Sequence, residues 1–399
     1  MLQTITIDQL KIGMYVKDVT WAGTKFKVKT QGIVKSQKTI EQLKRQGVID
    51  LLVEYTPVGE APEEMTVASK ESAAAESNMP ASPKSLRARS LEDEFSLSCQ
   101  LYDKGSQQIQ ALFDLNNTDE RPNASAINEL ASEITDSIIR NEYAMTMLTR
   151  IRNKSTYQWE HAINCGILLC GFSLYLGLKK ETATQIALGG ILHDIGTAKV
   201  SPGIINKAGK LTENDTQVIR RHVAWGFELC KKEGMANKII VDMMANHHER
   251  LNGSGYPRGV SKNKLSKLAR MTAIVDVYDA MTGDKPYKPA EPPINALRYL
   301  MAKNEHFDRN LVQQFIKFLG IHPVGSLVKL SNDRLAVVTR GNRSEPVKPL
   351  VKVFYNLKHN RYITSTDCDL SHEEVKIVAS VRPQEHKINL GRILREIIA

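Results

Sequence analysis

Residues 183–196, ATQIALGGILHDIG, form an apolar helical segment that ends on an adjacent His193 and Asp194, with Gly196 where the chain turns. A helix that is apolar nearly all round is a buried one, so this end sets two hard metal ligands into a core. The dipeptide alone carries little. Its weight comes from partners on other helical segments. His161 opens HAINCGILLCGFSLYLGL, His222 falls in the interior of LTENDTQVIRRHVAWGFELC, and His247 and His248 close NKIIVDMMANHH. Asp276 and Asp279 lie one turn apart in LSKLARMTAIVDVYDAM, where both can face inward. Thr212 and Ser266 stand as caps ahead of two of these runs. The expected class is mainly α, an all-helical core with its polar cluster at helix ends.

The chain has 399 residues, enough for two or three domains and a large buried core. With 42% hydrophobic and 25% charged residues, and no apolar run of the roughly 18 residues a span requires, a soluble cytoplasmic protein is expected, not a membrane one. The start, MLQTITIDQL, has neither a basic opening nor an apolar stretch of the secretory kind. Five cysteines without a CxxC pair speak against a disulfide framework and a thiolate zinc site, and are expected as small buried residues. A net charge of +10 favours anionic partners. No interleaving of basic and aromatic residues points to nucleic acid.

Residues 1–56 read as a small α+β accessory module, with GMYVKDV and FKVKTQGIV as extended segments, TIEQLKRQG as a helix ending at Gly47, and VIDLLVEY as a strand. It holds no catalytic cluster, and docking of a signalling partner is its expected role. Residues 57–90 turn to Pro, Glu, Ala and Ser, a flexible linker. Over 91–149, Ile127, Leu130, Ile134 and Ile138 fall on one stripe of what read as scaffold helices. The histidine-bearing segment spans 150–320. Over 321–399, PVGSLVKL, RLAVVTR and LVKVFYN alternate as strands of a β-rich module, and INLGRILREI reads as a last helix. His322, His359, His372 and His386 are scattered there and read as surface residues.

A lone histidine on an apolar helix is usually a hydrogen-bonded core residue. Five of them with two carboxylates form a ligand set for divalent iron, manganese or zinc, and an aspartate between two ions can bridge them. A pair of ions would supply hydroxide near neutral pH and stabilise an in-line displacement at phosphorus, so phosphodiester hydrolysis fits. The loop HHERLNGSGYPRGV, with Gly253, Gly255, Tyr256 and Pro257, allows a ligand a close approach. In KPYKPA, Lys285 and Lys288 offer ammonium groups to phosphate.

The succession HDIG, HHERLNGSGYP and IVDVYDAMTGDKPYK resembles the HD-GYP family of cyclic-dinucleotide phosphodiesterases, over residues of about 150 to 300. The GMYV segment is similar to a domain often fused ahead of such enzymes. The resemblance implies an HD-type helical catalytic domain with two divalent metals, iron or manganese rather than zinc, held by His161, His193, Asp194, His222, His247, His248 and Asp276, with Asp194 bridging. His193 and Asp194 are its catalytic core. Substrate is expected beside Gly255, Tyr256 and Pro257, with Lys285 and Lys288 on its phosphates and Asp279 supporting the ligands. Three positions depart from the family pattern: Thr197 where a lysine usually follows HDIG, Asn252 in place of aspartate, and Tyr157 where some members carry a metal-binding glutamate. The implied reaction opens cyclic di-GMP or 3',3'-cyclic GMP-AMP to a linear dinucleotide. The alternatives are a module that binds the dinucleotide or docks a partner without efficient turnover, and an HD hydrolase of other phosphoesters.

Overall fold

The computed structural model describes residues 2–11, 14–22, 32–34, 37–45, 48–54, 87–114, 123–151, 157–207, 209–284 and 289–398. Most of FKVKTQGIV, the Pro/Glu/Ala/Ser stretch up to 86, and Lys285 and Lys288 lie outside the described residues. The chain divides into two units, Met1–Pro80 and Ala81–Ala399.

In the first unit, β1 (Leu2–Thr6), β2 (Tyr15–Ala22), β3 (Gly32–Ile33) and β4 (Val48–Glu54) form an antiparallel sheet in the order β1-β4-β2-β3, with α1 (Gln37–Arg45) preceding β4. Alternation places Leu51 and Val53 in a small core with Ile5, Val16 and Ile40, and Val48, at the start of β4, joins it.

The second unit opens with α2 (Leu91–Phe113), α3 (Ala124–Arg140) and α4 (Ala144–Leu148). Ser90 caps α2 by accepting from the Asp93 amide, and Glu92, Asp93 and Glu94 complement the positive end of the helix. Glu94 is fully buried and receives both Nε and Nη2 of Arg140 at 2.8 Å, which ties α2 to α3. The expected stripe holds: Ile127, Leu130, Ile134 and Ile138 are all buried.

Next come α5 (Tyr157–Tyr175), α6 (Lys180–Leu192), a 3-10 turn over Ile195–Lys199, α7 (Pro202–Ile205), α8 (Glu213–Arg220), α9 (His222–Lys232) and α10 (Lys238–Asn246). α11 (Lys267–Thr282), α12 (Pro293–Ala302) and α13 (Arg309–Leu319) complete the helices of this region. α5 and α6 cross where Gly190 faces Gly166. A Cβ on Gly190 would stand 2.8 Å from the Gly166 Cα, so glycine sets the distance between the two helices that carry His161 and His193.

One expectation fails here. Residues 211–230 are not one helix with His222 inside, because α8 stops at Arg220 and α9 begins at His222. The 3-10 turn presses on this point. A Cβ on Gly196 would overlap the His222 carbonyl oxygen, so the turn after Asp194 and the start of α9 share one space.

β5 (Leu327–Leu330), β6 (Arg334–Arg340), β7 (Leu350–Asn356), β8 (Arg361–Asp369) and β9 (Ile377–Ser380) form an antiparallel sheet ordered β8-β7-β6-β5-β9, followed by α14 (Leu390–Ile397). Alternate residues of β6 serve two cores. Leu335 and Val337 join the helices, whereas Ala336 and Val338 pack with Val328, Leu330 and Val351 on the other face. Four cysteines are buried, Cys368 is half-buried, and all are free. No helix among the described residues is long and apolar enough to cross a membrane.

Candidate metal centre and cleft

His161 lies in the first turns of α5, His193 caps the C-terminal end of α6, and Asp194 begins the 3-10 turn. His222 opens α9, His247 caps α10 with His248 following, and Asp276 lies in α11. The fold brings all seven together.

The inner histidines are anchored by Nδ1. His193 donates to the Gly190 carbonyl, His222 to Ile219 and His247 to Met244, each at 2.7 Å. His161 Nδ1 lies 2.8 Å from Oδ2 of buried Asp279. A carbonyl oxygen only accepts, so Nδ1 carries the proton in those three and Nε2 presents a lone pair to the centre. The Nε2 atoms of His222 and His247 stand 3.2 Å apart, an arrangement that calls for a cation between them.

Asp194 divides its two oxygens between imidazole pairs. Oδ1 lies 3.1 Å from His222 Nε2 and 3.4 Å from His247 Nε2. Oδ2 lies 3.6 Å from His193 Nε2 and 3.8 Å from His161 Nε2. Asp276 adds Oδ1 at 3.2 Å from His161 Nε2 and Oδ2 at 3.7 Å from His248 Nδ1. Nε2 of His193 and Oδ1 of Asp194 are buried without a hydrogen bond.

Burial works against charge on Asp194 and Asp276, yet the surrounding imidazoles hold both well below the usual carboxylate range. Burial pulls His193 down to about 4 and also lowers His248, which keeps these rings neutral at pH 7. Among the described residues, no lysine or arginine lies within ion-pair distance of either carboxylate. Buried charges are paired or coordinate metals, and this donor set of imidazoles and hard carboxylates fits divalent ions.

The cluster opens on a cleft of about 1390 Å³, lined among others by Trp159, Thr197, Lys199, Trp225 and Arg250. The Thr197 hydroxyl donates to the Asp194 carbonyl at 2.7 Å, so it braces the turn. Gly255, Tyr256 and Pro257 do not line this cleft. The Tyr256 ring packs 4.5 Å from that of His248, behind it, under the Arg220 guanidinium.

Residues 148–311 match the HD domain, residues 2–126 a domain of unknown function (DUF3391), and residues 327–389 a KOW domain associated with HD domains. The chain is 31% identical over 372 residues to a cyclic di-GMP phosphodiesterase of Pseudomonas aeruginosa, covering 93% of this chain and 89% of that one. The chain belongs to the HD-GYP family. Two further HD-GYP relatives match over a shorter stretch. One is a cyclic di-GMP phosphodiesterase response regulator of Xanthomonas campestris, 36% identical, with 36% of this chain and 38% of that one covered. The other is a 3',3'-cGAMP-specific phosphodiesterase of Vibrio cholerae, 31% identical, with 38% of this chain and 33% of that one covered.

Two departures from the HD-GYP pattern have structural answers. The Tyr157 ring stacks on His161 at 5.7 Å and 9°, where a carboxylate would be needed for a further ion. Asn252 Oδ1 accepts from the Ser254 amide and hydroxyl, at 3.1 and 2.7 Å, and so holds the loop turn without a charge. Sequence reasoning passed over Glu249. Its buried carboxylate accepts from the amides of Arg258 at 2.8 Å and Val260 at 3.0 Å and clamps the HD-GYP loop shut. Its place directly after two histidines was a cue, but its partners are backbone groups that no side-chain pattern reports. Trp159 and Trp225 were likewise missed as cleft walls.

Proposed function

We propose that the protein is a metal-dependent phosphodiesterase that hydrolyses a 3',3'-cyclic dinucleotide, cyclic di-GMP or 3',3'-cyclic GMP-AMP, to the linear dinucleotide. The observation that carries this reading is Asp194 facing one imidazole pair with each of its oxygens. In this reading His161, His193, Asp194, His222, His247, His248 and Asp276 hold two divalent ions, iron or manganese, with Asp194 shared. When bound, such a pair supplies a water of lowered pKa and offsets charge on the attacking and leaving oxygens.

The chain's own residues do the rest. The Nδ1 anchors fix the rings of His193, His222 and His247 before any ligand arrives, and Asp279 performs that service for His161. Lys199 faces the cleft, and its ion-pair partner among the described residues is the exposed Glu228 at 3.7 Å, which leaves its ammonium available to a phosphate. Trp159 and Trp225 line the cleft, and a base stacked on either ring would gain about 1–3 kcal/mol. Thr197, which lines the cleft, is a further substrate contact of this reading, and Lys285 and Lys288 join it on the family resemblance alone. Gly255, Tyr256 and Pro257, expected as contacts, stand outside the cleft lining, and the Tyr256 ring packs on His248 instead. We assign docking of a signalling partner to residues 1–56, catalysis to 150–320 and support to 91–149 and 321–399.

Thr197 favours a second reading, a dinucleotide-binding module with little turnover, because its hydroxyl is spent on the backbone and brings no cation. Metal-reconstituted full chain offered cyclic di-GMP, mixed cyclic GMP-AMP and cyclic di-AMP separates the two. Linear product from either of the first two is expected. Metal-replete protein that binds these ligands and cleaves none contradicts the enzyme.

A further inference from the structure

A second cavity of about 430 Å³ lies where the helices meet the C-terminal sheet, within the size range of small-molecule sites. Its walls come from the start of α4, the end of α5, the turn after α13 and the β6–β7 connection. The floor is apolar, with Leu319 and Val324 buried. One flank is aromatic: the rings of Tyr175 and Phe318 stand 5.9 Å apart, and Tyr143 also lines the space.

The polar groups are few and placed. His322 lines the cavity, and its Nδ1 is buried without a hydrogen-bond partner. An atom left unpaired in this way is destabilising, and a ligand polar group that meets it removes that cost. At the rim the Arg343 guanidinium stands 5.9 Å above Tyr175. It pairs with Glu142 at 2.8 Å, but both side chains reach water, at 68% and 42% exposure. A pair that exposed contributes little and yields readily to a better anion. Exposed Lys317 adds a second positive charge.

We propose that this cavity is a second ligand site, apart from the metal cluster, for a small planar aromatic anion. The ring lies along Tyr175 and Phe318, a polar atom meets His322 Nδ1, and the anionic group meets Arg343. Because the walls belong to both the helices and the sheet, occupancy stabilises the seam between them.

The test uses the full chain and two fluorescent probes, anilinonaphthalene sulfonate and its uncharged counterpart N-phenylnaphthylamine. Saturable binding of the sulfonate at one site is expected. Arg343→Glu weakens the sulfonate by about tenfold or more and leaves the neutral probe unchanged, as the loss of a charge-assisted contact requires. A Cβ at Gly341, on the cavity wall, meets no atom within 4 Å, so Gly341→Trp fills the space and is expected to abolish both probes at an unchanged melting temperature. Absence of saturable sulfonate binding overturns the proposal, as does binding that survives Gly341→Trp. Should that variant melt early, sulfonate affinity retained in Arg343→Glu overturns it equally.

Discussion

Oδ2 of Asp279 lies 2.8 Å from Nδ1 of His161, with both groups buried, and this contact decides which nitrogen of the ring points at Asp194 and Asp276. Asp279→Asn keeps the shape and removes the charge. Loss of such a supporting partner typically costs about 10- to 100-fold in metal affinity or activity. Metal titration of the apo variant is expected to show a loss of that size with near-normal folding, and unchanged affinity would assign Asp279 to packing alone.

The loop beside the cluster hangs on Glu249. In Glu249→Gln one of the two amides it accepts, Arg258 or Val260, loses its acceptor, at about 1–3 kcal/mol. A lower melting temperature and faster proteolysis within 250–260 are expected, with bound metal largely retained. Proteolysis at the wild-type rate would contradict the clamp.

Gly196 is the point at which the HD turn and α9 touch. Gly196→Ala forces a methyl group against the His222 carbonyl, and overpacking of this kind costs about 1–3 kcal/mol or more. Chemical denaturation should report that loss together with weakened metal binding, since His222 moves with its carbonyl. A variant as stable and as metal-avid as wild type would show that the turn can shift freely.

Burial pushes the thiols of Cys165, Cys170 and Cys230 up to about 12, from about 9 when exposed. A raised folded pKa means that the unfolded chain loses the proton first. The thiols' contribution is therefore fully present below about pH 9 and declines as pH rises toward 12, by about 1.4 kcal/mol per pH unit for each thiol. Urea unfolding at pH 8 and pH 10.5 checks this, and the double variant Cys170→Ala, Cys230→Ala should flatten the decline. An identical decline in the double variant would place its origin elsewhere.

Much of this was legible because four members of the cluster, His193, Asp194, His247 and His248, sit at or just past helix ends. An apolar run closing on His193-Asp194, or on His247-His248, can only deliver those side chains into the core it builds. The break at Arg221 was not legible, because the helical pattern of α8 continues into α9 and the close approach at that point is made by Gly196 of another segment. β8 and β9 were missed for a related reason. They are the edge strands of the C-terminal sheet, and RYITSTDCD and IVAS are mostly exposed or half-buried, so they lack an apolar face to give them away. The division of the Asp194 oxygens between two imidazole pairs depends on the rotation of one side chain, which no spacing encodes.

The central claim is that Asp194 is shared by two metal ions. The most direct measurement is the iron and manganese bound per chain in reconstituted wild type and in Asp194→Ala, with cyclic dinucleotide turnover followed on the same samples. A two-metal centre predicts about two ions per wild-type chain, and metal and turnover lost together in the variant. Wild-type protein without metal, or Asp194→Ala with full metal and full turnover, would contradict it.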